Sequence, residues 1–275
     1  MKRYPLLDTG TIQRFQKIVY RHYASSGRLL PWRETRDPYK ILISEVMLQQ
    51  TQVARVIEKY KEFTAIFPTI EILAQARVSK IMKVWQGLGY NRRVLLLKKM
   101  AKTVNSKYQG RIPHQRDVLK TLPGIGEATA SAVCAFAFNT ATVLLETNIR
   151  SVFIHHFFPG RRKVHDREIF PLITQTLDKR NPRRWYSALM DYGVALKEKY
   201  PNPSRRSHHY RKQSRFQGSN REIRGKILKI LVNKNKISGA WLLKSIGTDT
   251  QRTKRILRDL EREGLIKRKS SFISL

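Results

Sequence analysis

Nine residues, Leu122-Pro123-Gly124-Ile125-Gly126-Glu127-Ala128-Thr129-Ala130, constrain this chain more than any other stretch. An amphipathic run, Arg116 to Thr121, enters them, and a small-residue helical pattern, Ala128 to Phe138, leaves them. Pro123 stops the first helix, because proline disfavours helical geometry in the residue before it. Gly124 and Gly126 permit the positive φ angles of a tight hairpin. With no side chains at these positions, backbone N–H groups at the start of the second helix lie open, and such groups bind anions. Gly124, Gly126, Ala128 and Thr129 are therefore candidate phosphate contacts. The alternative is an ordinary helix–helix turn that binds nothing.

Charge bears on that choice. The chain has 275 residues, with 55 Lys+Arg against 20 Asp+Glu, a formal net charge of +35. Nucleic acid is the partner expected for such a surplus, since phosphate neutralisation releases counterions. An anionic membrane surface or a ribosome-associated basic surface are the rivals. No apolar run is long enough to span a bilayer, and Met1 to Asp8 lacks the apolar core of a signal peptide. A cytoplasmic, nucleoid-associated protein is expected. The one cysteine, Cys134, cannot form an internal disulfide, ligate an iron–sulfur cluster alone or build a Cys-rich zinc site. Its apolar setting, Ser131 to Phe138, reads as core.

Hydrophobic spacing predicts helices over 11–23, 41–50, 52–67, 91–108, 147–158, 166–178 and 182–199, with shorter helices capped by Thr69 and Ser79. Little alternates at period two, so the fold is expected to be mainly α. Pro201 to Asn220 is rich in Pro, Ser, Arg and His and reads as a basic linker. Its adjacent histidines, His208 and His209, like His155 and His156, suit a metal site poorly, and no metal is expected. Residues 221–275 read as a separate small domain of three helices and a hairpin, similar to a winged helix. Its third helix carries Arg252, Lys254, Arg255 and Arg258, suited to a DNA groove or phosphate track. The alternative is a solvated basic helix.

Two carboxylates stand out. Glu45 lies among Ile41, Leu42, Ile43, Val46, Met47 and Leu48, where burial favours its protonated form and a general-acid role. Glu146 follows Val143-Leu144-Leu145 at an expected helix start, which favours its ionised form. Contrasting carboxylates suit glycosidic cleavage through a cation-like state. The competing reading pairs Glu45 with a core arginine and leaves Glu146 a helix cap.

Five motifs occur in order: Leu30-Pro31-Trp32-Arg33 with Arg36-Asp37-Pro38-Tyr39, Ser44-Glu45-Val46-Met47-Leu48-Gln49-Gln50-Thr51-Gln52, Gly87-Leu88-Gly89-Tyr90, the hairpin, and Leu145-Glu146-Thr147-Asn148-Ile149-Arg150. Together they closely resemble the helix-hairpin-helix (HhH-GPD) DNA glycosylase superfamily, in particular the MutY-type adenine glycosylases, over about Leu7 to Tyr200. The resemblance implies a two-lobed all-helical fold over 7–200 and a monomer acting in base excision repair on double-stranded DNA with a mispaired adenine. It implies that Glu45 protonates the extruded adenine, that Glu146 stands in for the family's aspartate in stabilising the sugar cation, and that Asn148 supports it. It assigns Gln50 and Tyr90 to wedging into the base stack and Thr51 to the orphan base. Arg28, Leu30 and Trp32 fall to the adenine pocket wall and Asp191 to the flipped base. For Trp32 a core role is the alternative, and for Asp191 a solvated one.

The sequence departs from the family in four places. Glu146 is one methylene longer than aspartate. Ala128 occupies the position where bifunctional relatives carry a Schiff-base lysine, so hydrolysis by water without efficient strand cleavage is expected. The iron–sulfur cysteines are missing near Asn202 to Tyr210, so no cluster is expected. The C-terminal segment is too short for the family's 8-oxoguanine-reading domain. The expected activity is hydrolysis of adenine opposite 8-oxoguanine or guanine. The alternatives are a thymine or uracil mismatch glycosylase and a non-catalytic DNA-binding scaffold.

Overall fold

A computed structural model describes residues 6–234 and 236–275, so part of Met1 to Asp8 lies outside it. The helices are α1 (Thr9–Ser26), α2 (Pro38–Leu48), α3 (Val53–Ile66), α4 (Ile70–Gln75), α5 (Val78–Trp85), α6 (Arg92–Lys107), α7 (Arg116–Lys120), α8 (Glu127–Phe138), α9 (Thr147–Phe157), α10 (Asp166–Thr176), α11 (Pro182–Lys199), α12 (Asn220–Lys234), α13 (Gly239–Ile246) and α14 (Thr250–Arg262). The strands β1 (Lys236–Ser238), β2 (Lys267–Lys269) and β3 (Phe272–Ser274) form an antiparallel sheet ordered β1-β3-β2, with Ile237 and Arg268 both opposite Ile273. The expectation of a mainly helical chain is met.

Polar residues before each apolar run set many of the helix starts. Asp8 accepts from the Thr11 N–H, Thr69 from Ile72, Asn181 from Arg184 and Ser238 from Trp241. Asp37 accepts from the Tyr39 N–H ahead of Pro38, the first residue of α2. Ser79, expected as a cap, lies inside α5, because Arg77 already occupies the extended capping position.

Two compact units divide the chain. The first holds residues 1–42, 114–120 and 126–212. Its core gathers Phe15 and Val19 of α1, Phe153 of α9, Ile173 of α10 and Trp185 and Leu189 of α11. Phe15 meets the rings of Phe153, Phe157 and Trp185 edge-on at 5.0–5.8 Å between centroids. Cys134 is buried in α8 and directs its thiol at the His114 carbonyl oxygen, and burial pushes the thiol pKa up. The second unit holds residues 43–113, 121–125 and 213–275. It buries Phe63, Phe67, Leu73, Ile81 and Trp85 from α3 to α5.

The segment expected as a linker is split between the units. Pro203–Arg206 forms a 3-10 turn packed on α9. Ser204 pairs with Ser151 and donates to the Thr147 carbonyl, while Arg206 donates to the Ile154 and Phe158 carbonyls. The backbone of Ser207 bridges to Val164. These bonds bury Ser204 and Ser207 and make this stretch part of the first unit. The exposed stretch 211–218 retains linker character.

Residues 221–275 form the expected three helices and hairpin, with β1 as an added strand too short for its alternation to register in sequence. They pack within the second unit instead of standing apart: α12 lies on α5, and Gln213 Nε2 donates to the Tyr90 hydroxyl. A composition change marks the chain's path, not where its apolar faces find cover.

One half-buried histidine links this packing to pH. His156 of α9 sits against Phe15 and shares a 2.9 Å hydrogen bond with the Tyr192 hydroxyl. Burial, aided by His155, lowers its pKa to about 4. In the unfolded chain it titrates near 6.5. Between these values the unfolded state binds the extra proton, so stability rises with pH from about 4 and is complete above about 6.5. Replacing His156 with Gln is expected to flatten this rise by on the order of 2 kcal/mol. Urea unfolding at several pH values checks it, and an unchanged slope would exclude His156 as the source.

Candidate active site

The hairpin departs from expectation in one respect. Gly124 has φ +82, and a Cβ there would lie 2.9 Å from the Cβ of Leu96, so glycine is required twice over. Gly126 has φ −91 and ψ −179, an extended capping geometry open to any residue. Its bare backbone faces open space, and no side chain caps α8. Gly124, Gly126 and Ala128 are exposed, and Thr129 on α8 is buried. Glu127, in the first turn, is engaged by Lys120 at 2.7 Å and Arg116 at 3.0 Å, which offsets its repulsion of an incoming anion.

In the second unit the structure brings Gln50, Thr51 and Tyr90 together through a residue the sequence did not single out. Arg93 is 7% exposed and has no carboxylate partner among its contacts. Its Nη1 donates to the carbonyls of Val46, Met47 and Gln49 at 2.7–2.8 Å. Its Nη2 donates to the Thr51 hydroxyl and to the carbonyls of Leu88 and Gly89 at 3.0–3.2 Å. The guanidinium also stacks over Trp85 and Tyr90. Burial pulls its pKa down to about 10, so it stays charged at neutral pH.

Three of these acceptors end α2, where the helix dipole is negative. Two others matter for conformation. Gln50 (φ +54) and Tyr90 (φ +47) both lie in the left-handed region, which strains residues with side chains. Arg93 holds the carbonyl immediately before each of them. The Arg93 N–H itself donates to the Tyr90 carbonyl. The only sequence signal was a second arginine in Asn91-Arg92-Arg93, just after a glycine turn.

Glu45 lies on the same unit's stretch of α2, half-buried between buried Ser44 and Val46.

In the first unit Glu146 caps α9. Its Oε1 accepts the N–H groups of Asn148 and Ile149 at 2.7 and 2.8 Å, and its Oε2 accepts Asn148 Nδ2 at 3.2 Å. Lys197 of α11 donates to Asn148 Oδ1 at 2.7 Å. A Cβ on Gly193 would lie 2.4 Å from the Asn148 carbonyl oxygen, so glycine there lets α11 approach close enough for Lys197 to reach. The helix start was expected to favour the ionised carboxylate. The balance runs the other way: burial raises the Glu146 pKa, while the Ile149 and Asn148 N–H groups, Lys197 and Arg150 only offset part of it. Burial also lowers the Lys197 pKa. Lys197 was not foreseen, since it reads as one of several lysines ending a helix.

Arg28 and Asp191 are brought together, but not as a base-binding pair. Asp191 is 3% exposed. Its oxygens accept the Arg28 N–H and Nε and both terminal nitrogens of Arg33, all at 2.7–2.8 Å. These two arginines outweigh burial and hold its carboxyl below the usual range. The assignment of Asp191 to the flipped base is therefore corrected: its lone pairs are occupied, and it anchors the Arg28–Arg33 loop to α11. Leu30 and Trp32 on that loop are buried.

The segment where the family's cluster cysteines are expected offers hydroxyls, a guanidinium and imidazoles. Among the described residues no group of three His, Cys, Asp or Glu side chains is placed to hold a metal ion. This donor set does not fit an iron–sulfur cluster.

Comparison with known proteins accords with this geometry. A family model described as HhH-GPD superfamily base excision DNA repair protein matches residues 43–171. The adenine DNA glycosylase of Mycolicibacterium smegmatis is 30% identical over 288 residues, covering 89% of each chain. That of Buchnera aphidicola subsp. Baizongia pistaciae is 34% identical over 190 residues, 68% of this chain and 53% of that one. The chain spans about half the length of the Buchnera relatives it matches. Among solved structures, a thermostable thymine-DNA glycosylase aligns with TM-score 0.61 and 26% identity over 67% of this chain and 87% of its own. The chain belongs to the HhH-GPD superfamily of base excision DNA repair proteins, within its adenine DNA glycosylase family. No helix among the described residues is long and apolar enough to cross a membrane.

Arg93→Met strands several carbonyls and frees two strained residues. The expected loss is about 3 kcal/mol or more in urea unfolding. Arg93→Lys, which keeps the charge with three donors in place of five, should recover part of it. A variant as stable as the parent would show the clamp to be dispensable.

Proposed function

We propose that the chain is a monofunctional DNA glycosylase that hydrolyses the N-glycosidic bond of adenine mispaired with 8-oxoguanine or guanine, as a monomer and without an iron–sulfur cluster. The observation that carries the reading is the capped, desolvated Glu146 carboxylate with Asn148 and Lys197. It is a carboxylate fixed in orientation and half-buried. The relatedness to adenine DNA glycosylases over 89% of both chains supports the choice of base.

A base within a duplex must leave the stack before its glycosidic bond can be reached. Gln50 and Tyr90, set by Arg93, fill the gap, and Thr51 meets the orphan base. Glu45 gives its proton to the adenine ring. The bond between sugar and base then breaks, its electron pair leaving with the adenine, and the Glu146 carboxylate stabilises the positive sugar until water adds. Open N–H groups at the start of α8 hold a backbone phosphate. Ala128 offers no amine, so the product is an intact strand with an abasic site. The bonds of Ser204 and Arg206 to α9 hold the segment that a cluster holds elsewhere. A thymine or uracil mismatch glycosylase is the second reading, favoured by the likeness to the thymine-DNA glycosylase structure.

Single-turnover base release from duplexes carrying A opposite 8-oxoguanine, A opposite G, T opposite G or U opposite G separates the two. Adenine release from the first two is expected, with strand breaks appearing only after alkali. Glu45→Gln should abolish release and leave duplex binding intact. Release of only T or U would move the chain to the second reading.

The raised pKa of Glu146 sets the pH profile. The ionised carboxylate is needed, so release should fail on the acid side, at a pH above the ordinary glutamate range. Lys197 opposes that rise, so Lys197→Met should shift the acid limb further up in pH. A limb that stays put would remove Lys197 from the site's electrostatics.

A further inference from the structure

We propose that α14 is a second duplex-DNA contact, laid into the major groove and bound to phosphates independently of base sequence. The α13 helix, the turn Gly247-Thr248-Asp249 and α14 form a helix-turn-helix, followed by the β2–β3 hairpin. The second helix is fixed firmly. Asp249 accepts the Gln251 N–H, and Thr253, 1% exposed, donates to the Asp249 carbonyl.

The two faces of α14 differ in kind. Ile256, Leu257 and Leu260 are buried in the module's core, while Lys254, Arg255 and Arg258 are exposed together on the outward face. Among the described residues these three have no hydrogen bond or ion pair, whereas Arg262 pairs with Asp259. Arg252, counted with them in the sequence, is spent internally on Asn220 and the Gly218 carbonyl, where it ties α14 to the end of the linker.

The chemistry selects duplex DNA. A thirteen-residue helix is about 20 Å long and of a width the DNA major groove admits. The major groove of double-stranded RNA is too deep and narrow for it. A membrane helix would need an apolar outward face, and here the apolar face is already covered. The outward cations reach phosphates, which carry no sequence information.

The test uses the full chain and an undamaged duplex, so it does not depend on base excision. The variant Lys254→Ala/Arg255→Ala/Arg258→Ala is compared with Lys226→Ala/Lys229→Ala/Lys234→Ala, which removes the same charge from α12. The α14 variant should weaken binding on the order of tenfold near physiological salt and lower the slope of log K against log salt by about 2–3. The α12 variant should change both less, and Arg255→Lys/Arg258→Lys should retain binding. The α14 variants should unfold at the parent's temperature, since the altered groups are exposed and unpaired, and the α12 variant within a few degrees of it, since it loses a Glu222 pair and a Trp241 contact. Equal weakening by both triple variants would reduce the effect to bulk charge, and unchanged binding would remove α14 from the interface. Loss of binding to single-stranded RNA or anionic vesicles with duplex binding intact would assign the face to another partner.

Discussion

Arg93 is a buried cation neutralised by helix ends and turns, and the local geometry of the second unit follows from it. Its guanidinium gathers the last carbonyls of α2 and the turn before α6, so two segments about 40 residues apart in sequence share one donor set. The same device recurs. Lys98 donates to carbonyls at the end of α4, Arg183 to Phe136 in α8 and to the Arg33 and Thr35 carbonyls, and Arg206 to the end of α9. In a chain with 20 acidic residues for 55 basic ones, these four cations are met by backbone carbonyls. Helix C-termini, each with unsatisfied carbonyls and partial negative charge, supply the missing counter-charge.

Two carboxylates of the first unit, buried Asp191 and half-buried Glu146, show how environment separates roles. Asp191 is gripped by two guanidinium groups that take up its oxygens and keep it ionised. That arrangement is strong and inert. Glu146 is held by backbone N–H groups and an amide, and Lys197, bonded to Asn148, acts on it through charge alone. Its charge is less fully compensated, which is why burial dominates its pKa. A carboxylate in that condition gains most when positive charge develops nearby, which is the physical basis of differential stabilisation of a transition state.

What was legible in the sequence follows the range of the interactions. Hairpin, caps and helix starts are local. Pro123, Gly124 and the cap residue Thr69 announce themselves within four residues, and the structure keeps them. Gly126 was misread because a bare backbone can serve open space as well as a positive φ. Arg93 was missed because an Arg-Arg pair reads as solvated surface, and only the turn of α6 sends the second inward. Asp191 was misassigned because its partners lie about 160 residues away. Nothing in Leu189-Met190-Asp191-Tyr192-Gly193 points to Arg28 and Arg33.

The internal use of cations also bears on the surface. The guanidinium and ammonium groups enclosed by carbonyls find counter-charge there, but most of the +35 remains outside and repels itself. That repulsion weakens the folded state, and it weakens it least where anions gather. A polyanion that binds the native chain therefore stabilises it by mass action as well as by contact. The strained Gln50 and Tyr90 fit the same logic. Their left-handed backbone costs free energy in the isolated chain, and Arg93 offsets that cost in advance. The backbone at both positions is thus set within the second unit itself, so its ordering adds no cost to a later binding event.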